Sequence, residues 1–397
     1  MRYTIFILYL VISASILSAQ PKLYIHFVSH NEPNDNLQIP LNYQKAKANV
    51  LQMANLINTA NLKWNLQTCD GFVLGALKDE TSTGSNIFEL LNAAPFNDNI
   101  QIDPRSKNSG GRNIADLYHL LDSCGANPST HLGGCIYYTT NPNIQPIDWE
   151  QYRNPVVGNI YGNSWQCSII TGAGSYPPHS NDLNDFGVFK PDTPNNFYHH
   201  NPDKNLWCLG TGCAPVLDSL SDTQAIIDLI QAQVDSIQQG YWPSDRFYIT
   251  RIMTNQREYG PLFFQKVKMV IDSLSNISPE HLQWATIGET FEAFQAWQEQ
   301  TNLDHSMWRC GEVNTTPTTE PTSPEFTFWP NPAISQLHIQ PADTEPHQVQ
   351  IQNLLGQKVL EQSCQYGCTL DISRYPAGVY LLILDQKQVR KWVKEGY

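Results

Sequence analysis

Charge is scarce in this sequence, and basic charge is scarcest. Asp, Glu, Lys and Arg make up 15% of the 397 residues, against ~25% in an ordinary globular chain. The 24 Lys and Arg face 37 Asp and Glu, for a formal net charge of -13. No basic stripe occurs, which excludes a nucleic-acid partner, because binding a phosphate backbone depends on clustered cations. Beyond residue 20 there is no apolar run long enough to span a bilayer, so no transmembrane anchor is expected in the mature chain. CxxC pairs are absent, which argues against zinc held by thiolates. No internal repeat is present. What the chain does have is 41% hydrophobic and 11% aromatic residues, enough to fill a sizeable core. Its length suits a barrel of roughly 250 residues with a small appendage.

The first residues, MRYTIFILYLVISASILSAQ, have the outline of a secretory signal peptide over residues 1–19. Arg2 precedes an apolar stretch, the small residues Ser18 and Ala19 follow, and cleavage is expected before Gln20. Export permits disulfides. CLGTGC, with Cys208 and Cys213, and CQYGC, with Cys364 and Cys368, each read as a short loop closed by its own bond. The cysteines that precede Cys364 are odd in number, so one of them has no partner within that region.

From Val313 to Glu325 the sequence VNTTPTTEPTSPE has no apolar periodicity and reads as an extended, solvated linker. It separates a body, residues 20–312, from a tail, residues 326–397. The tail is a series of short alternating runs broken by Gly, Pro, Asn and Asp, which predicts a small β-sandwich. In the body, KLYIHFVSHNEP reads as a strand, YQKAKANVLQMANLINTANL as a helix and WNLQTCDGFVLGAL as a strand and turn. Further strand and helix patterns alternate up to HLQWATIGETFEAFQAW. Such alternation predicts a parallel sheet, open or closed into a barrel. Asn141 to Asn205 break the rhythm with Asn, Pro, Tyr and Trp, and are expected to form long loops over the binding face.

The blocks FWPNPAISQLHI, VQIQNLLGQKVLE, LDISRYPAGVYLL and QVRKWVK, in that order, resemble the C-terminal sorting domain of type IX secretion substrates in Bacteroidota. Trp329 stands where that family usually has Tyr, and Gln357 follows the turn residue Gly356. The resemblance implies contact with the type IX secretion machinery, passage through the outer membrane, and a secreted or cell-surface location.

In the body, HFVSHNEPND places His30, Glu32 and Asp35 just after a strand. An imidazole and two carboxylates there could bind a metal or share acid and base roles, and a capped turn would use the same residue types. A second polar cluster, QIDPRSKNSGGRN, carries Asp103, Arg105 and Lys107. The order of these segments resembles the polysaccharide deacetylase branch of the glycoside hydrolase/deacetylase superfamily, whose fold is a distorted β/α barrel. The resemblance implies one divalent, zinc-like metal and a polysaccharide ligand. The family's two metal-binding histidines are missing, however, and Arg105 and Lys107 stand in their place.

Three readings of the body follow, with hydrolysis of an ester, amide or glycosidic bond in extracellular polysaccharide the favoured chemistry and a glycan binder the runner-up. A metal could be held by His30 and Asp35 with His179 or His199. A metal-free glycosidase could use paired carboxylates among Glu32, Asp103 and Glu289, and Asp35 is a further catalytic candidate. Or the barrel could be a glycan binder without turnover. Arg105, Tyr161, Trp165, Tyr198 and Trp207 are the candidate substrate-binding residues, since aromatic faces stack on sugar rings. Core packing is the alternative for each aromatic. Glu289 is either a strand-end acid or a helix-start charge.

Overall fold

The computed structural model describes residues 21–32, 35–105, 110–135, 148–172, 185–212, 214–309, 326–331, 333–341, 346–353, 358–365, 367–385 and 388–394. The expected signal peptide, the linker, His179, Lys107, Cys213, Cys310 and Gly356 lie outside these residues.

The body begins with β1 (Leu23–Asn31), α1 (Pro40–Thr59), β2 (Trp64–Thr68), α2 (Asp70–Thr83), the single-turn α3 (Ile87–Leu91), β3 (Ile100–Pro104), α4 (Ile114–Ser123) and β4 (His131–Cys135). Short strands follow: β5 (Val156–Val157), β6 (Ser164–Trp165), β7 (Ile169–Gly172), β8 (Asp185–Phe189) and β9 (Trp207–Leu209). The body then continues through α5 (Thr223–Gln238), β10 (Tyr248–Asn255), α6 (Pro261–Leu274), β11 (Leu282–Trp284), α7 (Ile287–Thr301) and β12 (Ser306–Arg309).

β1 is the central strand. It pairs in parallel with β10 on one edge and with β2 and β11 on the other, and β3 extends the sheet beyond β2. A strand so placed is covered on both faces, and its sequence LYIHFVSHN is accordingly buried along nearly its whole length. Leu23, Ile25 and Phe27 point to the helix layer and join the main core with residues of α1, α2, α4, α5 and α6. A second sheet, in the order β12-β8-β9-β7-β4, meets the first through a parallel bridge between Arg105 and Gly133. Together the sheets form a distorted β/α barrel. Ile287 and Phe294 of α7 pack with Phe247, Ile249, Ile169, Val188 and Leu209, with Tyr24 against them, and fill its lower end.

Two local patterns differ from expectation. The run after Cys69 is a helix, opened by Asp70, whose charge suits a helix N-terminus, and ended by Gly84 at φ 81°. The segment expected as long loops supplies β5 to β8, each of two to five residues, too short for periodicity to register.

The tail comprises β13 (Phe326–Trp329), β14 (Gln336–Pro341), β15 (His347–Asn353), β16 (Lys358–Cys364), β17 (Cys368–Asp371), β18 (Gly378–Leu384) and β19 (Gln388–Lys394). They form two antiparallel sheets, β13-β14-β17 and β16-β15-β18-β19. Alternate residues from both sheets, among them Phe326, Leu337, Ile339, Val349, Ile351, Leu382 and Trp392, share one core. This is a small all-β sandwich. Cys364 and Cys368 form the expected disulfide.

Under the helices, Ser29 is a buried polar hub. Its oxygen takes the Trp64 indole N–H at 2.7 Å and the Thr254 hydroxyl at 2.9 Å, and its own proton goes to the Tyr259 oxygen at 2.7 Å. Removing one member leaves buried donors unmet, which costs ~1–3 kcal/mol. Ser29→Ala is therefore expected to lower stability by about 2 kcal/mol in urea unfolding; an unchanged midpoint would show that the hub is not needed.

Candidate functional site

In a β/α barrel the ends of the parallel strands and the loops that follow them form the mouth. The register of this sheet aligns His30 with Gln67 and with Asn255, and Gln67 with Asp103. These four residues make one row facing the barrel interior. Directly above it stand Glu32, at the end of β1, Arg105, at the end of β3, and Arg257, in the turn after β10.

Glu32 is 8% exposed and forms an ion pair with Arg105. Its other oxygen lies 3.4 Å from Arg257 Nη2 and 3.5 Å from Asn255 Nδ2. Two adjacent glycines of β4 make this possible. A Cβ on Gly133 would fall 2.1 Å from the Gln67 amide, and one on Gly134, which sits at φ +71°, would fall 2.7 Å from Arg105 Nε. Only glycine suits both positions. Beside the mouth, Asp70 pairs with Arg112 at 3.5 Å.

The interior row is not fully bonded. Gln67 is fully buried, yet among the described residues neither its amide oxygen nor its amide nitrogen has a hydrogen-bond partner. On the helix-facing side of the same strand ends, both amide atoms of Asn31 and the Thr68 hydroxyl are in the same condition. Buried polar groups are nearly always satisfied by protein or water, so the unmet Gln67 amide marks a place on the interior face where another polar group belongs.

Beneath the row the interior stays polar. Asp103 accepts from Asn65 Nδ2 at 2.8 Å, Gln101 Nε2 at 2.5 Å and Ser129 Oγ at 2.6 Å. His131 Nδ1 meets the same Gln101 nitrogen at 2.9 Å. His26 meets the Thr290 hydroxyl at 2.8 Å, and the buried Arg251 binds Thr171 Oγ1 at 3.1 Å and the Gly172 carbonyl. Burial holds the pKa of His26 well below the ordinary histidine value, with Arg251 and His131 adding to the effect. Burial also lowers that of His131, against an opposing pull from Asp103.

The other candidate residues are dispersed. Asp35 is exposed on the loop after β1, and His30 is 6% exposed in the row. Glu289 is the third residue of α7, where its carboxylate accepts the Thr286 N–H at 2.8 Å and pairs with Lys63 at 2.7 Å. This matches the helix-start alternative. Trp165 is enclosed with Tyr118 and Tyr152, Tyr198 packs on Phe189 and Phe197, and Trp207 lies against Phe291 and Phe294. Tyr161 is 42% exposed. Its backbone N–H and those of Asn159 and Ile160 all bond the carboxylate of Asp116 in α4 at 3.0 Å.

Among the described residues, Glu32 does not suit a divalent cation. Both oxygens of Glu32 face guanidinium groups, which occupy its lone pairs and would repel the ion. Among the described residues, the side chains that group as possible metal ligands are His200, Asp304 and His305. The Lys190 backbone N–H donates to His200 Nδ1 at 3.1 Å, so a neutral ring keeps its proton on Nε2, facing Asp304, and offers no lone pair there.

Sequence reading missed Gln67, Asn255, Arg257 and the glycine pair. The pair itself, GG inside the strand HLGGC, was the available signal, because glycine within a strand marks close approach.

Acid should weaken this core. Above about pH 6.5 the folded and unfolded states both hold His26 and His131 neutral; below it the unfolded chain takes up protons that the buried rings resist, so stability falls. The urea midpoint is expected to drop between about pH 7.5 and about pH 5, and His131→Gln should flatten the profile. A wild-type midpoint independent of pH would rule this out.

No curated protein sequence matches the chain. Solved structures with similar chains include a 4-alpha-glucanotransferase from Thermococcus litoralis, at 8% identity and TM-score 0.41 over 68% of this chain and 38% of that one. A protein provisionally described as a polysaccharide deacetylase, from Mycobacterium smegmatis, has 9% identity and TM-score 0.40 over 70% and 92% of the two chains. An alpha-mannosidase from Enterococcus faecalis V583 has 10% identity and TM-score 0.37 over 69% and 29%. The chain thus spans well under half the length of the glucanotransferase and of the mannosidase. Among the described residues no helix is long and apolar enough to cross a membrane. Residues 327–395 match the family described as a secretion system C-terminal sorting domain, so the chain ends in a sorting tail that implies secretion.

Proposed function

We propose that the protein is exported by the type IX route and that its barrel body binds extracellular polysaccharide at the mouth without turning it over. In this reading residues 1–19 are a signal peptide, 20–312 the body, 313–325 a linker and 326–397 the sorting tail. The observation that carries the binding role is the buried Gln67 amide with neither end bonded, beside His30 and Asn255 and beneath Glu32 and Arg105. A sugar hydroxyl both donates and accepts, and so can meet either end of an amide. The candidate carboxylates favour recognition over hydrolysis. Glu32 lies between two arginines, Asp103 accepts three hydrogen bonds, Glu289 caps a helix, and Asp35 is exposed on the loop after β1.

Calorimetry of the mature chain against extracellular polysaccharides tests this. At least one glycan should bind and should not be cleaved, and Gly133→Ala, which displaces Gln67, should weaken binding by about tenfold or more. Gln67→Leu should do the same. Turnover abolished by Glu32→Gln in a variant that still folds would replace the binding role with a catalytic one.

Deleting residues 326–397 is expected to leave the body in the periplasm, as read by fractionation and immunoblot. Normal appearance of the truncated chain in the medium would remove the sorting role.

A further inference from the structure

The turn that joins β5 to β6 is fastened to α4 through its backbone. Asp116, in the first turn of α4 and fully buried, accepts the backbone N–H groups of Asn159, Ile160 and Tyr161, each at 3.0 Å, together with that of Asn113. Asn113 Nδ2 donates to the Val157 carbonyl at 2.7 Å, Asn163 Nδ2 to the Ala115 carbonyl at 2.8 Å and Asn159 Nδ2 to the Gly111 carbonyl at 3.0 Å. Gly158 allows this close approach, since a Cβ there would fall 2.6 Å from Asp116 Oδ1. A loop tied at so many points has little freedom left to lose when a ligand settles on it.

What this turn presents to solvent is apolar. Val157 is 61% exposed and Ile160 51%, and Tyr161 is exposed beside them. The Tyr161 ring lies against His119 of α4, with centroids 4.6 Å apart and planes at 35°, which sets its position without covering it. The turn stands on the mouth side of the barrel, because a helix that follows a parallel strand starts at the mouth, and α4 follows β3 and Arg105. Gly111, to which Asn159 is tied, and Arg112, which pairs with Asp70, belong to the same rim.

Three apolar side chains at one turn fall far short of the ~800 Å² that each partner buries in a stable protein–protein interface, whereas a single sugar ring covers a single aromatic face. Resting on the glycan reading above, we propose that Tyr161 is a second sugar-binding position, on the rim, which stacks on one pyranose of a chain while another unit of that chain occupies the mouth. The ligand class that suits it is a β-1,4-linked chain of sugars whose ring substituents are equatorial. The faces of such rings carry only axial C–H bonds and so offer apolar surface to the tyrosine.

The test is calorimetric titration of the full mature chain with cellohexaose and cellobiose. Cellohexaose should bind at least about tenfold more tightly, because only the longer chain reaches both positions. Tyr161→Ala should remove most of that advantage and Tyr161→Phe should keep it, and neither should move the urea midpoint, because the side chain is exposed. An advantage that survives Tyr161→Ala but is lost in Gly133→Ala overturns the rim inference and leaves the glycan reading in place. Equal affinity for the two lengths also overturns it. Binding that is lost in Tyr161→Ala and unaffected by Gly133→Ala removes the mouth from the site, and the two-position arrangement falls with it. If neither oligosaccharide binds, the inference falls; if the polysaccharides tested against the mouth also fail to bind, the glycan reading falls too.

Discussion

A carboxylate withdrawn from water has to be met by cations or hydrogen-bond donors, and at the mouth of this barrel that requirement falls on Glu32. Arg105 and Arg257 meet it from two other strand ends, and Asn255 adds a donor. Breaking such a pair by removing one partner typically costs ~3–5 kcal/mol, because the remaining charge stays buried. The arrangement therefore fixes three loops relative to one another. It also depends on backbone far away in sequence: Arg105 can lie where it does only because Gly134 has no side chain.

The same pair limits what Glu32 itself can do. A hydrolytic metal needs ligands with free lone pairs, and the Glu32 oxygens are turned toward guanidinium groups. A general acid or base needs a carboxylate oxygen turned toward the reacting group, and both Glu32 oxygens face guanidinium groups. What the mouth offers instead is a set of directional donors and acceptors, with the Gln67 amide unbonded among the described residues. That is the equipment of a recognition site, and it is the physical basis for the proposed saccharide ligand.

Below the mouth the barrel departs from the usual filling of branched aliphatic side chains. The lowest layer is apolar and sealed by α7. The middle layer is a buried polar network of His26, Asn65, Gln101, Asp103, His131 and Arg251, in which the N-terminal turn of α7 takes part: the Ile287 N–H reaches Asn65 at 3.1 Å and the Gly288 N–H reaches Gln101 at 3.0 Å. Polar interiors of this kind specify one arrangement when bonded and penalise any other, so the network supports the row above it.

Local patterns in the sequence were sufficient for much of this. The alternation around FTFWPNPAISQLHI and GVYLLIL determined the tail sandwich, because a strand face is set by period-two burial within a few residues. The alternating strand and helix runs determined a parallel sheet and left open whether it closes, and CQYGC determined its disulfide, because the two thiols can meet across one tight turn. Glu289 was legible only as two alternatives, and the three-residue spacing from Thr286 allowed the helix cap that it forms. The segment from Asn141 to Asn205 was not legible, since its described strands, of two to five residues, repeat the two-residue alternation too few times to register. The site itself was decided by tertiary structure. Gln67, Asn255 and Arg257 carry no motif, and what makes them a site is parallel register across strands far apart in the chain, with two glycines leaving room between them. Register and close approach are long-range properties, and no stretch of sequence contains them.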